Sequence, residues 1–110
     1  MICRIDADDV CFPNRIECQL SFLQNHKDYV LVSSAVRYID EYGKDIGRSF
    51  PCTLDKSLKK SLSTCNMIVH PMSMFRKESY FASGGYIGIK RGQDHLYWSR
   101  LAKFGKLSPL

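Results

Sequence analysis

No apolar run in this sequence approaches the roughly 20 residues that a membrane-spanning helix needs. CxxC pairs are absent too. The five cysteines, Cys3, Cys11, Cys18, Cys52 and Cys65, are odd in number, so a disulfide scaffold and a cysteine-ligated zinc site are both poorly supported. Reduced thiols in a cytosolic protein are the simpler expectation. The chain has no internal repeat, no low-complexity tract and no Gly/Ser linker, hence no internal domain boundary. No basic and apolar leader opens it: MICRIDADD reaches three acids within nine residues, and a secretory signal is not expected. Acids are the scarcer charge, 11 Asp and Glu against 16 Lys and Arg, which leaves a net charge of +5. That surplus suits phosphates, an anionic membrane surface or nucleic acid without choosing among them. What is present is 110 residues of ordinary globular composition, one small domain or part of one.

Periodicity divides the chain into alternating elements. Residues 1 to 5 (MICRI) read as a short strand feeding the acidic turn DADD. Pro13 suits the first position of a helix, and Ile16, Leu20 and Leu23 give residues 13 to 25 an amphipathic pattern. Residues 29 to 39 (YVLVSSAVRYI) are β-branched and aromatic and read as one buried strand. A hairpin or loop is expected near Gly43. Leu54, Leu58 and Leu62 mark a short helix with Lys56, Lys59 and Lys60 on its wet side. Residues 66 to 76 read as extended, broken by Pro71. A helix from Lys77 to Ala82 should end at Gly84-Gly85. A last helix runs from Gln93 through Phe104, with Gly105 as its closing residue. The order is that of an α/β layout with a parallel sheet. Three or so strands make a thin core for such a sheet, so the sequence reads like the second half of a larger α/β domain.

The candidate chemistry begins at Asp6-Ala7-Asp8-Asp9. In extended chain Asp6 and Asp8 project to one side, at the carboxyl end of a strand, where open α/β sheets bind ligands. Paired oxygen ligands there suit Mg²⁺ or Mn²⁺. A solvated acidic turn, with Asp9 starting the next helix, is the alternative. An EF-hand is excluded: counting from Asp6, its fifth position holds Val10 and its glycine position holds Cys11. Asp94 opens the last helix, where it either complements the helix dipole or aims a carboxylate into a cleft to take a proton from a hydroxyl. His70, in an apolar stretch, is either a hydrogen-bonded structural residue or a site residue. Gly84-Gly85-Tyr86 either ends a helix or lets backbone approach a ligand closely. Trp98 reads as core or cleft wall.

Taken in order, CRIDADDVCFPNRIECQLSFLQNH, YVLVSSAVRYIDEYG, HPMSMFRKE, GGY and QDHLYWSRLAKFGK resemble glycosyltransferase family 2, the inverting enzymes of the GT-A fold that use nucleotide-sugar donors. Members typically read R-x-D-A-D-D, H-P-x-x-M-F-R-K, G-G-Y and E-D-Y-D-L-W. The resemblance implies that residues 1 to 110 form a single partial domain. Its fold would be a partial GT-A, Rossmann-like nucleotide-diphospho-sugar transferase fold without the N-terminal nucleotide-binding strands. It implies a divalent cation, Mn²⁺ or Mg²⁺, held by Asp8 on the donor diphosphate, with Asp6 facing the nucleotide or metal and Arg4 beside the donor. Asp94 would be the general base. Gly84, Gly85, Tyr86, His70, Gln93 and Trp98 would border the sugar and acceptor cleft. The expected partners are a nucleotide-sugar, UDP-linked by preference, and a glycan or lipid-linked acceptor of cell-surface polysaccharide or glycolipid synthesis.

The chain departs from the pattern at Gln93, where the family has glutamate, and at Leu96, where it has aspartate. The family's upstream V-S-V-I-x-P-x-Y-N type motif is missing, so catalysis is expected of the intact domain rather than of these residues alone. A second expectation is therefore a non-catalytic remnant that self-associates through an open sheet edge. A nucleic-acid module is not expected, since the basic residues are scattered and no such motif occurs. The resemblance places the protein in the cytoplasm, peripheral to the inner membrane face.

Overall fold

A computed structural model describes residues 1–50, 55–62, 64, 67–88 and 91–110. Among the described residues six strands and four α-helices follow one another: β1 (Ile2–Cys3), α1 (Arg15–Asn25), β2 (Tyr29–Ser33), β3 (Val36–Ile39), β4 (Asp45–Ser49), α2 (Asp55–Ser61), β5 (Met74–Phe75), α3 (Lys77–Ala82), α4 (Gln93–Leu101) and β6 (Lys106–Pro109). A 3₁₀ turn, His70–Met72, precedes β5 and carries Pro71. None of the described helices is long and apolar enough to cross a membrane.

The main sheet has the order β1-β5-β2-β6. It is mixed, which corrects the expectation of a parallel sheet: β5 runs antiparallel to both neighbours, and only β2 and β6 are parallel. Strand β5 enters straight from the Pro71 turn and lies between β1 and β2, opposed to both. Helices cover both faces. Leu31, Phe75 and Leu107 pack with Leu58, Leu62, Tyr97, Trp98 and Leu101 of the α2–α4 side. Val32 and Met74 pack with Leu23 of α1 on the other.

Several sequence expectations shift. Residues 29 to 39 form two strands, because the chain turns at Ser34-Ala35; β3 leaves the main sheet and pairs with β4 in a separate hairpin. The turn of that hairpin holds Gly43 at φ +79°, as turn chemistry predicted. Helix α1 starts at Arg15 with Asn14 as N-cap, so Pro13 lies just outside the helix. Its buried stripe is Arg15, Gln19 and Leu23, while Ile16 is exposed. Leu54 lies outside the described residues, but α2 buries Leu58 and turns its lysines outward.

Strand β6 was not foreseen. Gly105 leads into it rather than closing α4 in a left-handed turn. A Cβ there would sit 2.8 Å from the Asp28 carbonyl and 2.5 Å from Val30 Cγ1. The glycine is needed so that β6 can approach β2, and Lys106 N–H then donates to Asp28 O at 2.8 Å.

Candidate active site

Asp6–Asp9 is a turn, closed by Asp9 N–H donating to Asp6 O at 3.2 Å. Strand β1 ends at Cys3, so the extended geometry expected for Asp6 and Asp8 does not hold. The two carboxylates face different surroundings. Asp6 accepts from Arg4 Nη2 at 3.3 Å. Asp8 and Asp9 line a cavity of about 760 Å³ between residues 8–18 and the 34–39 segment.

His70, Tyr86 and Trp98 come together, within electrostatic reach of Arg4, Asp6 and Asp94. His70 Nε2 hydrogen-bonds Tyr86 Oη at 2.8 Å, and its ring meets the Trp98 ring edge-on at 5.6 Å. Burial lowers the His70 pKa below its ordinary value; Arg4 lowers it further, while Asp94 and Asp6 pull it up. His70 therefore feels charges from the amino-terminal turn and from the last helix at once. Burial pushes the Tyr86 hydroxyl up to about 12, with Arg4 and Asp94 acting on it in opposite directions. At neutral pH the pair is a neutral imidazole and a neutral phenol, able to exchange a hydrogen bond but carrying no charge.

The wall behind them is aromatic. Tyr86 lies 4.7 Å from Tyr97, centroid to centroid, and Phe75 meets both Tyr97 and Trp98 edge-on. Gly84 and Gly85, at φ +82° and +61°, end α3. Gly85 N–H donates to Tyr80 O at 2.9 Å and Gly84 N–H to Phe81 O at 3.1 Å, the paired bonds of a Schellman ending. A Cβ on Gly85 would sit 2.9 Å from the Tyr80 ring. The turn delivers Tyr86 to His70. Gln93 sits exposed at the first position of α4, and the half-buried Asp94 follows it.

Three arginines that sequence reasoning did not single out position these parts. Arg100 of α4 donates to Ser83 O at 3.0 Å and to Gly85 O, tying the glycine turn to the helix that carries Asp94. Arg76 donates to Leu23 O and His26 O, completing carbonyls at the end of α1, and to Tyr29 O at the start of β2. Arg15, only 7% exposed, donates to Arg4 O at 2.8 Å and Pro71 O at 2.9 Å, joining the acidic turn to the His70 turn. Gln19, fully buried beside it, donates to Met72 O at 2.8 Å and Ser34 Oγ at 2.9 Å. The signal available was spacing: residues 15, 19 and 23 fall on one helical stripe.

The donor set suits a hard divalent cation. Mg²⁺ and Mn²⁺ take oxygen ligands and are held by one or two carboxylates with substrate phosphates and water completing the shell. Asp6 and Asp8 are exposed carboxylates on one turn and fit that demand. Among the described residues no three His, Cys, Asp or Glu side chains gather into an all-protein cage.

Residues 1–81 match the model of the family described as glycosyl transferase family 2. The chain is 30% identical over 105 residues to the amylovoran biosynthesis glycosyltransferase AmsE of Erwinia amylovora, covering 96% of this chain and 39% of the relative. It is 33% identical over 102 residues to the O-antigen biosynthesis glycosyltransferase WbnJ of Escherichia coli, covering 92% and 39%. It is 27% identical over 108 residues to an Escherichia coli UDP-Gal:alpha-D-GlcNAc-diphosphoundecaprenol beta-1,3-galactosyltransferase, covering 89% and 36%. The chain thus spans under two fifths of the length of these relatives.

Proposed function

This chain belongs to glycosyl transferase family 2, and from that premise we propose that it forms the metal-to-base half of a site that transfers a sugar from a nucleotide-sugar to a hydroxyl acceptor. The observation that carries the proposal is the contact of His70 with Tyr86 at 2.8 Å and with the Trp98 ring at 5.6 Å, at a place where the charges of Arg4 and Asp6 from the amino-terminal turn and of Asp94 from α4 all act on the imidazole. In the proposed reaction Asp94 takes the proton of an acceptor hydroxyl as its oxygen attacks the anomeric carbon. The carbon–oxygen bond to the diphosphate breaks on the opposite face, so a single displacement inverts the carbon. Arg4 offers its guanidinium to the departing diphosphate. The neutral His70–Tyr86 pair and the Trp98 wall orient the sugar without adding charge. Asp6 and Asp8 would hold a divalent cation, whose chemistry is to neutralise the developing diphosphate charge.

Cell-surface polysaccharide is the proposed product, supported by the amylovoran and O-antigen relatives. A UDP-sugar donor and a lipid-linked acceptor are supported by the name of the galactosyltransferase relative. The net charge of +5 suits work at an anionic membrane face. Calorimetric titration of the chain with UDP, with and without Mn²⁺, tests the proposal. Mn²⁺-dependent binding that Asp8→Ala abolishes is expected. UDP binding unchanged by Mn²⁺ or by Asp8→Ala would contradict the assignment, as would no binding under any condition.

A further inference from the structure

The acidic turn is bracketed by two thiols that share one cation. Cys3 stands three residues before Asp6 and Cys11 three residues after Asp8. Arg15 Nη2 lies 3.6 Å from Cys3 Sγ, and Arg15 Nη1 lies 3.9 Å from Cys11 Sγ. Both sulfurs therefore sit against the two ends of a single planar guanidinium, although eight positions separate them in sequence. That guanidinium is buried, and among the described residues no carboxylate pairs with it. A buried cation without a counter-charge is costly, and the thiols are the ionisable groups that touch it. A cation beside a thiol favours the thiolate, the reactive form. At Cys3 burial outweighs this effect and raises the pKa, with Arg15 opposing it. Access is open on both sides: Cys11 lines the 760 Å³ cavity, and Cys3 is exposed.

We propose that Cys3 and Cys11 form a reversible redox pair, oxidised by a peroxide to a disulfide that closes a ring around the Asp6–Asp9 turn. The Cys11 thiolate attacks one peroxide oxygen, breaking the O–O bond and releasing hydroxide; the sulfur becomes a sulfenic acid. The Cys3 sulfur then attacks that sulfur, the S–O bond breaks, and the hydroxyl leaves as water with the proton lost from Cys3. Two thiols are oxidised by two electrons and one peroxide is reduced to two waters. Arg15, within hydrogen-bond reach of both sulfurs, favours their thiolate forms. The closed ring restricts the turn to fewer arrangements. The pair rests on Arg15 and the two sulfurs, and stands whatever the turn binds.

The test is oxidation of the chain with one equivalent of hydrogen peroxide, followed by alkylation and mass spectrometry. A fall in alkylatable cysteines from five to three is expected, with a Cys3–Cys11 linked peptide that dithiothreitol releases. Cys3→Ser and Cys11→Ser should each abolish the link and leave a stable sulfenic acid or a free thiol on the partner. Linkage of either cysteine to Cys18, Cys52 or Cys65 instead, an intermolecular dimer, or five alkylatable thiols after treatment would overturn the proposal. The alkylation count on the wild-type chain needs no variant to fold, so a misfolded serine variant does not remove the test.

Discussion

The cluster around His70 and the β3–β4 hairpin both carry tyrosines, arginines and aspartates, and the fold treats them differently. Around His70 the imidazole is backed by an aromatic layer, and the turns that carry His70 and Tyr86 are tied at backbone carbonyls by Arg15 and Arg100. In the hairpin, Tyr38 is 52% exposed and Ile46 is 64% exposed. Its Arg37 and Arg48 share Asp45 through exposed ion pairs at 3.2 and 3.7 Å. The hairpin is held by its own ladder and forms no part of the main sheet. Position is specified where packing is dense, and pairs in open solvent contribute little to it.

Substitutions should separate the two regions in order of size. Trp98→Ala removes a fully buried ring that walls His70 and packs on Phe75. A loss of about 3–5 kcal/mol is expected from urea unfolding, a large share of a small domain's stability. Gly85→Ala forces a Cβ against the Tyr80 ring at φ +61°. It should cost about 1–3 kcal/mol and weaken the His70–Tyr86 contact before it unfolds the protein. In the hairpin, Asp45→Ala loses two exposed ion pairs and an exposed hydrogen bond from Gly47 N–H, and should change stability by about 1 kcal/mol or less, with the ion-pair share screened by salt. A larger loss there would break the comparison.

Acid should sharpen the same contrast. His70 has a folded pKa below its unfolded value of 6.5. The unfolded chain therefore binds the proton first, and stability falls as pH drops below about 6.5 toward the folded pKa. Above 6.5 the imidazole is neutral in both states and contributes no slope. The urea midpoint should decline from pH 7 to pH 5 in the wild type and less steeply in His70→Gln. An equal decline in both would remove His70 as the source.

Much of this was legible in the sequence, unevenly. Lys77–Ala82 and its glycine ending follow from local chemistry, since paired glycines supply the two positive φ values that the turn needs. The start of α4 at Gln93 and the hairpin turn at Gly43 are likewise local. The split at Ser34-Ala35 was hidden because residues 29 to 39 are uniformly strand-forming, and only tertiary pairing divides them. Strand β6 lay hidden behind Gly105, which reads as a helix end and instead allows close approach to Asp28. At the site, the family resemblance singled out Arg4, Asp6, His70, Tyr86, Asp94 and Trp98; of these, His70, Tyr86 and Trp98 are in contact, and the charges of Arg4, Asp6 and Asp94 act on His70. The resemblance could not identify Arg15, Gln19, Arg76 or Arg100. Each is a polar residue used inside the fold to satisfy carbonyls from segments distant in sequence.

The central claim is that the amino-terminal turn and the start of α4 form one metal-nucleotide site. Mn²⁺ is paramagnetic and broadens the amide signals of nearby residues, so titrating it with UDP into isotope-labelled chain tests the claim directly. The account predicts joint broadening of the amides of Asp6, Ala7, Asp8, His70, Tyr86 and Asp94, with Gly43 and Gly47 of the hairpin unaffected. Broadening confined to residues 6 to 9, with Asp94 and Tyr86 untouched, would contradict it.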